Sequence, residues 1–132
     1  MSTSLSKLSK TIYLTDVRVY KGRYAYLRCN TTPSDGGHLL AFSNGADQTV
    51  VTCEERVDRV EHTGIEAWYK LIEFRLPTPF QTPGFIAAIT TSLSDAGLNV
   101  LVISSFVSDY ALVHEDRVDE AADALRNRGF KL

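Results

Sequence analysis

Apolar positions recur at helical spacing in two segments of the second half of the chain, with strand-like runs around them. Ile86, Ile89, Leu93 and Ala96 fall on one face of a helix. "TPG" at Thr82 to Gly84 opens it, with Thr82 as N-cap and Pro83 at the first helical position, and Gly97 stops it. Val118, Ala121, Ala122 and Leu125 mark a second helix. Its acids lie early and its arginines late, which suits the helix dipole, and Gly129 caps it. Between the helices, "NVLVISSF" (Asn99 to Phe106) is a nearly continuous apolar run, the pattern of a central strand in a covered sheet. "VSD" turns the chain and "YALVHE" returns as another strand. "AWYKLIEFRL" (Ala67 to Leu76) supplies a strand ahead of the first helix, and "FKL" is left as a vestigial last one. The order predicts a ferredoxin-like βαββαβ unit of the α+β class, an antiparallel sheet with both helices on one face.

The first half is strand-rich and short of helix. Its first ten residues, rich in Ser and Lys, read as a tail or a short helix. "TIYLTDVRVY" (Thr11 to Tyr20) has β-branched and aromatic character, and "RYAYLRCN" alternates as a strand. "TTPSDGG" (Thr31 to Gly37) is loop. "HLLAFS" and "QTVVTC" form a hairpin through "NGAD", where Asn44-Gly45 favours the turn, and "EERVDRV" gives one or two helical turns. The expected division is 1–66 and 67–132.

Composition narrows the function. The chain has 132 residues, 44% hydrophobic and 23% charged, the balance of a soluble globular protein. Fourteen Lys and Arg stand against sixteen Asp and Glu, with no basic run, which disfavours nucleic acid because phosphate binding needs clustered positive charge. "KGRYAYLRC" (Lys21 to Cys29) imitates the stacking strand of an RNA-recognition motif. That strand is the third of its fold, and too little chain precedes Lys21. No segment approaches the roughly 18 apolar residues of a membrane span, so a cytoplasmic protein without a membrane partner is the default. Cys29 and Cys53 lack a partner motif, and His38, His62 and His114 are scattered, so neither metal nor cofactor is expected. Ser105, Asp109 and His114 make a triad only on paper; side-chain directions oppose it and no strained nucleophile turn is present. The expectation is a protein that is not an enzyme, with a small hydrolase of ferredoxin-like fold the least favoured reading.

The block from Gly84 to Phe130 resembles an ACT domain. The cues are Gly84 at the end of the first-strand loop, "LSDAGLNV" joining helix to second strand, and "ISSFVSDYALV" as the next hairpin. The hairpin is similar to that of tandem ACT proteins related to the cytosolic arginine sensor. "YKGRYAY", "LLAFSNGADQTVVTCEERVD" and "AWYKLIEFRL" follow the order and spacing of short tandem ACT-like proteins, so the first half resembles a degenerate ACT-like half. The resemblance covers about residues 14–132 and departs at "TPFQTPGF", so ligand choice does not carry over.

The resemblance implies a regulatory module that binds an amino acid or similar molecule at an interface between paired domains. It places the ligand along the first loop and second strand: Pro83, Gly84, Phe85 and Ile86 on one side, and Ser104, Ser105, Phe106 and Asp109 on the other. A ligand carboxylate suits the exposed N–H groups of a helix N-terminus, and an ammonium suits a carboxylate such as Asp109. Each residue also has a plain structural reading: Pro83-Gly84 as a helix start, Asp109 as turn chemistry, the serines as small packing residues. A homodimer joined through sheet edges or faces, with "NVLVISSF" near the contact, is expected because a sheet covered on one side leaves an edge and a face. The alternative is an interaction module whose pocket is empty.

Overall fold

Leu8 and Ile12 stand four residues apart, and the chain uses that helical spacing despite the β-branched residues around it. The structure, a computed structural model, describes residues 3–31, 33 and 35–132. A helix, α1, spans Thr3–Leu14 and sends Ile12 into the core. The Thr15 hydroxyl donates to the Thr11 carbonyl at 2.6 Å and closes its last turn. Thr11 to Leu14 therefore end a helix instead of starting a strand, and only Asp16–Val19 form β1. Burial of Ile12 overrides local β-propensity. Met1 and Ser2, part of the tail-or-helix reading, lie outside the described residues, as do Thr32 and Ser34 of the expected loop.

The remaining strands and helices of the first half are β2 (Tyr24–Cys29), β3 (Leu40–Ser43), β4 (Gln48–Cys53) and the short α2 (Glu54–Val57). There follow β5 (Gly64–Arg75), α3 (Phe85–Asp95), β6 (Leu101–Ser104) and β7 (Ser108–His114). A 3-10 turn at Glu115–Arg117 leads into α4 (Val118–Arg128). The chain divides into two compact units, Met1–Tyr20 with Lys70–Leu132, and Lys21–Tyr69. Strand β5 gives its first half to one and its second half to the other.

In the larger unit the strand order is β1-β5-β7-β6. Strand β1 pairs antiparallel with β5, Asp16 opposite Arg75 and Val19 opposite Ile72, and so fills the place that a final strand would take in βαββαβ order. "FKL" is consequently not a strand. Phe130 is instead 3% exposed, with its ring 5.3 Å from that of Phe74 and 5.8 Å from that of Phe85. Ile72, Phe74, Ala111 and Val113 of the strands pack with Ala88, Ile89 and Leu93 of α3 and with Ala121 and Leu125 of α4. Strand β6 is a second correction. It is four residues long, half-exposed and paired only with β7 among the described residues, so "NVLVISSF" supplies an edge and not a centre. A continuous apolar run is also what an edge awaiting cover looks like, and sequence cannot separate the two.

Helix α3 begins at Phe85 after Gly84, whose φ of 87° makes glycine, and not Thr82, the N-cap residue. It ends as expected at Gly97, φ 79°. The Gly97 amide donates to the Ser94 carbonyl and the Leu98 amide to the Leu93 carbonyl, the paired bonds of a left-handed C-terminal cap.

The smaller unit orders its strands β3-β4-β2-β5. This is the same succession without a first helix: the described residues between β2 and β3 contain none. The Asn44 side chain accepts the amides of Ala46 and Asp47 at 3.0 and 2.7 Å, fixing the β3–β4 turn. Ala25, Leu27, Cys29, Val50, Val57 and Val60 form its core. Tyr26 projects from the opposite face of β2, its ring edge-on to Tyr69 at 5.8 Å.

Candidate functional site

Three prolines in "LPTPFQTPG" (Pro77, Pro79 and Pro83) keep the segment after β5 out of both ladder and helix, because each lacks an N–H and fixes its φ. The open loop they make is one wall of a cleft of about 460 Å³. The start of α3 and the β6–β7 hairpin form the rest. Of the eight residues singled out in the sequence, Pro83, Gly84, Phe85, Ile86, Ser104, Ser105 and Asp109 line this cleft. Phe106 is not among the lining residues but stands beside it, 79% exposed, its ring 5.2 Å from that of Phe80, which is.

On the helix side, Gly84 at the N-cap has no side chain to accept a first-turn amide, and the Phe85 amide reaches the Thr82 carbonyl only at 3.4 Å. The ladder proper starts with the Ala88 amide donating to the Gly84 carbonyl at 2.9 Å. The first-turn amides of Ile86 and Ala87 thus have no acceptor within the helix. This is a partial positive charge at the cleft wall.

On the hairpin side, Ser104 and Asp109 sit opposite each other in register, and the Ser104 hydroxyl donates to Asp109 Oδ1 at 2.6 Å. Asp109 is therefore a strand residue and not a turn residue. It is also the one charged side chain among the described residues that line the cleft. Ser105 closes the turn: its amide donates to the Ser108 carbonyl at 2.8 Å and its Oγ accepts the Ser108 amide at 3.2 Å. A triad does not form. Ser104, not Ser105, holds Asp109, and His114 lies five residues along β7, on the opposite face from Asp109.

Below the hairpin is a group that sequence reasoning missed. Glu73, 8% exposed, accepts the Ser108 hydroxyl at 2.8 Å and the Tyr20 hydroxyl at 2.9 Å. Burial works against its ionisation, yet the Ser108 and Tyr20 hydroxyls, then the charges of Arg75 and Arg18, outweigh it and hold the carboxyl below its usual range. Burial, followed by the bond to Glu73, pushes the Tyr20 phenol up. Ser108, which lines the cleft, is thereby anchored from beneath. Alternation along "KLIEFR" would have put Glu73 on the face opposite Phe74, but nothing in sequence announces its partners.

Phe80 was also missed. Its φ is 67°, a left-handed conformation that costs a bulky residue on the order of 1–3 kcal/mol, and its ring is 78% exposed. No sequence pattern reports a φ. Among the described residues no cluster of three or more His, Cys, Asp or Glu is arranged to hold a metal, and no helix is long and apolar enough to cross a membrane.

Several solved structures share this fold. A protein of unknown function from Vibrio cholerae superposes with a TM-score of 0.78 over 96% of this chain and 99% of its own, at 20% identity. A protein from Agrobacterium tumefaciens gives 0.76 over 89% and 91%, at 23% identity. The ligand-free regulatory subunit of aspartate kinase from Thermus thermophilus gives 0.69 over 92% and 99%, at 9% identity. At such identities the likeness is one of fold. No curated protein sequence matches the chain. The ACT domain family matches residues 66–127, the stretch that carries α3, β6, β7 and all eight candidate residues. The similarity to the ACT domain family thus lies over residues 66–127, just under half of the chain.

Proposed function

We propose that this chain is a regulatory protein that binds a small zwitterion, an amino acid, in the cleft of its ACT domain and acts through ligand-dependent association. One observation carries the reading: among its described lining residues, the cleft sets one carboxylate, Asp109, across from the uncapped start of α3. An α-carboxylate matches the free amides of Ile86 and Ala87, and an α-ammonium matches Asp109. The fold shared with regulatory subunits of aspartate kinase supports a regulatory role over a catalytic one. The partner we propose is a second copy, joined along β6, whose Leu101, Val102 and Ile103 are half-exposed on a free edge among the described residues. Neither nucleic acid nor a membrane is part of the reading, and a cytoplasmic setting goes with it. The division at 66 and 67 is likewise proposed as the boundary of a degenerate ACT-like first half.

Calorimetric titration with single amino acids tests the site. Asp109→Asn is expected to weaken the ligand about tenfold, since losing a hydrogen bond to a charged group typically costs ~1.5–3 kcal/mol. Filling the cleft with Ala87→Phe, an exposed lining position on α3, is expected to abolish binding. Gly84→Leu is the poorer probe: φ there is +87° and an added Cβ meets Leu8 Cδ2 at 3.3 Å. Unchanged affinity in both Asp109→Asn and Ala87→Phe would move the site elsewhere. A second reading, an interaction module without ligand, is favoured by the Ser104 hydroxyl already occupying Asp109. It predicts no amino-acid response at all.

A further inference from the structure

Among the described residues, Phe80 and Phe106 are the most exposed of the large apolar side chains, at 78% and 79%, and they touch each other. They come from different segments, the proline-rich loop and the tip of the β6–β7 hairpin, which are the two sides of the cleft. Their rings meet edge to face, 5.2 Å apart at 73°, so the pair leaves ring surface uncovered. Phe80 keeps this place in a backbone conformation that glycine would hold without strain. A soluble protein seldom holds an unprotected aromatic pair at the mouth of a concave site unless something covers it.

We propose that Phe80 and Phe106 select a ligand with a large uncharged side chain, a deepening that rests on reading the cleft as an amino-acid site. Charge leaves little else. Asp109, the one charged group among the described lining residues, is taken by the α-ammonium, and the Lys7 ammonium beside the loop already donates to the Gln81 carbonyl at 2.9 Å. A second cation on the ligand would need a second acceptor. Glu73, beneath the hairpin, is buried and already receives hydroxyls from Ser108 and Tyr20. Leu76, Pro79 and Ile86 add apolar wall beside the rings. A branched aliphatic or aromatic side chain laid against Phe80 and Phe106 would bury apolar surface on both partners.

The test is calorimetric titration of the full chain with L-phenylalanine, L-leucine, L-arginine, L-glutamate and glycine, repeated on Phe80→Gly and on Phe106→Ala. Phe80→Gly suits the positive φ, and Phe106 is a surface side chain, so both variants are expected to fold. Phenylalanine and leucine should bind wild type at least about tenfold more tightly than the other three. Each variant should lower that preference about tenfold while leaving glycine within about twofold of wild type. A wild-type preference for arginine or glutamate would overturn the proposal. So would an unchanged ranking in both variants; if Asp109→Asn still weakened all five ligands, the amino-acid site would stand and the ring assignment alone would fall. Failure of all five ligands to bind wild type would overturn the ring assignment together with the amino-acid reading beneath it.

Discussion

The two compact units share a succession of strands and differ in what covers them. Among the described residues, one cluster of fourteen buried apolar side chains fills the larger, from its strands, from α1, α3 and α4 and from the chain just beyond them. The matching cluster of the smaller has six, and among the described residues the four-residue α2 is its only helix. Backbone ladders evidently hold strand order without much core, because the ordering information lies in register and turns, such as the Asn44 turn between β3 and β4. Helices add what ladders cannot: apolar volume, and a terminus with unpaired amides. The smaller unit does have a recess of its own, with Tyr26, Arg28, Asp47 and Glu66 among its lining residues, but no helix end looks into it. The cleft proposed as a ligand site occurs where a full helix follows its strand.

Unequal cores should show first in truncation. Phe74→Ala, at the centre of the ring cluster with Phe85 and Phe130, is expected to cost about 3–5 kcal/mol in urea unfolding. Leu27→Ala, in the six-residue core, is expected to cost about 2 kcal/mol, the lower end for such a change, because a thin core collapses around the void. Hydrogen exchange should then find the amides of residues 21–69 opening before those of 70–132. Equal losses would mean that the smaller core is packed as tightly as the larger.

A middle-sized effect belongs to Glu73. Glu73→Gln is expected to remove about 1–3 kcal/mol by weakening its bonds to Ser108 and Tyr20. The folded carboxyl is held below its unfolded value, so its contribution is full above the usual glutamate range and is lost as pH falls through the lowered folded value. Wild type should therefore lose stability on the acid side more steeply than the variant. Parallel pH profiles would show that the carboxylate adds nothing specific.

The smallest contrast is between two glycines. Gly97 has φ +79° with open space around an added Cβ, so Gly97→Ala should cost about 1–2 kcal/mol through backbone strain alone. Gly22, in the smaller unit, also has open space and no positive φ, and Gly22→Ala should leave the melting temperature nearly unchanged. A similar shift in both would remove the backbone explanation.

Much of this was legible in the sequence, for local reasons. The spacing of Ile86, Ile89 and Leu93 gave α3, Gly97 and Gly129 gave two helix ends, and Asn44-Gly45 gave a turn, since period and φ preference are properties of a few neighbouring residues. The ACT resemblance picked eight residues, and seven of them line one cleft. What stayed hidden depended on partners distant in sequence. Whether "NVLVISSF" is central or edge depends on what lies beyond it, and whether "FKL" pairs depends on β1, about 110 residues earlier, already holding that edge of β5. Ile12 became helical because a core formed around it, against its local β-propensity. The Phe80 conformation and the carboxylate of Glu73 held by the hydroxyls of Ser108, Tyr20 and Tyr110 are likewise decisions of the fold, because a dihedral angle and a hydrogen-bond partner exist only once the chain has come together.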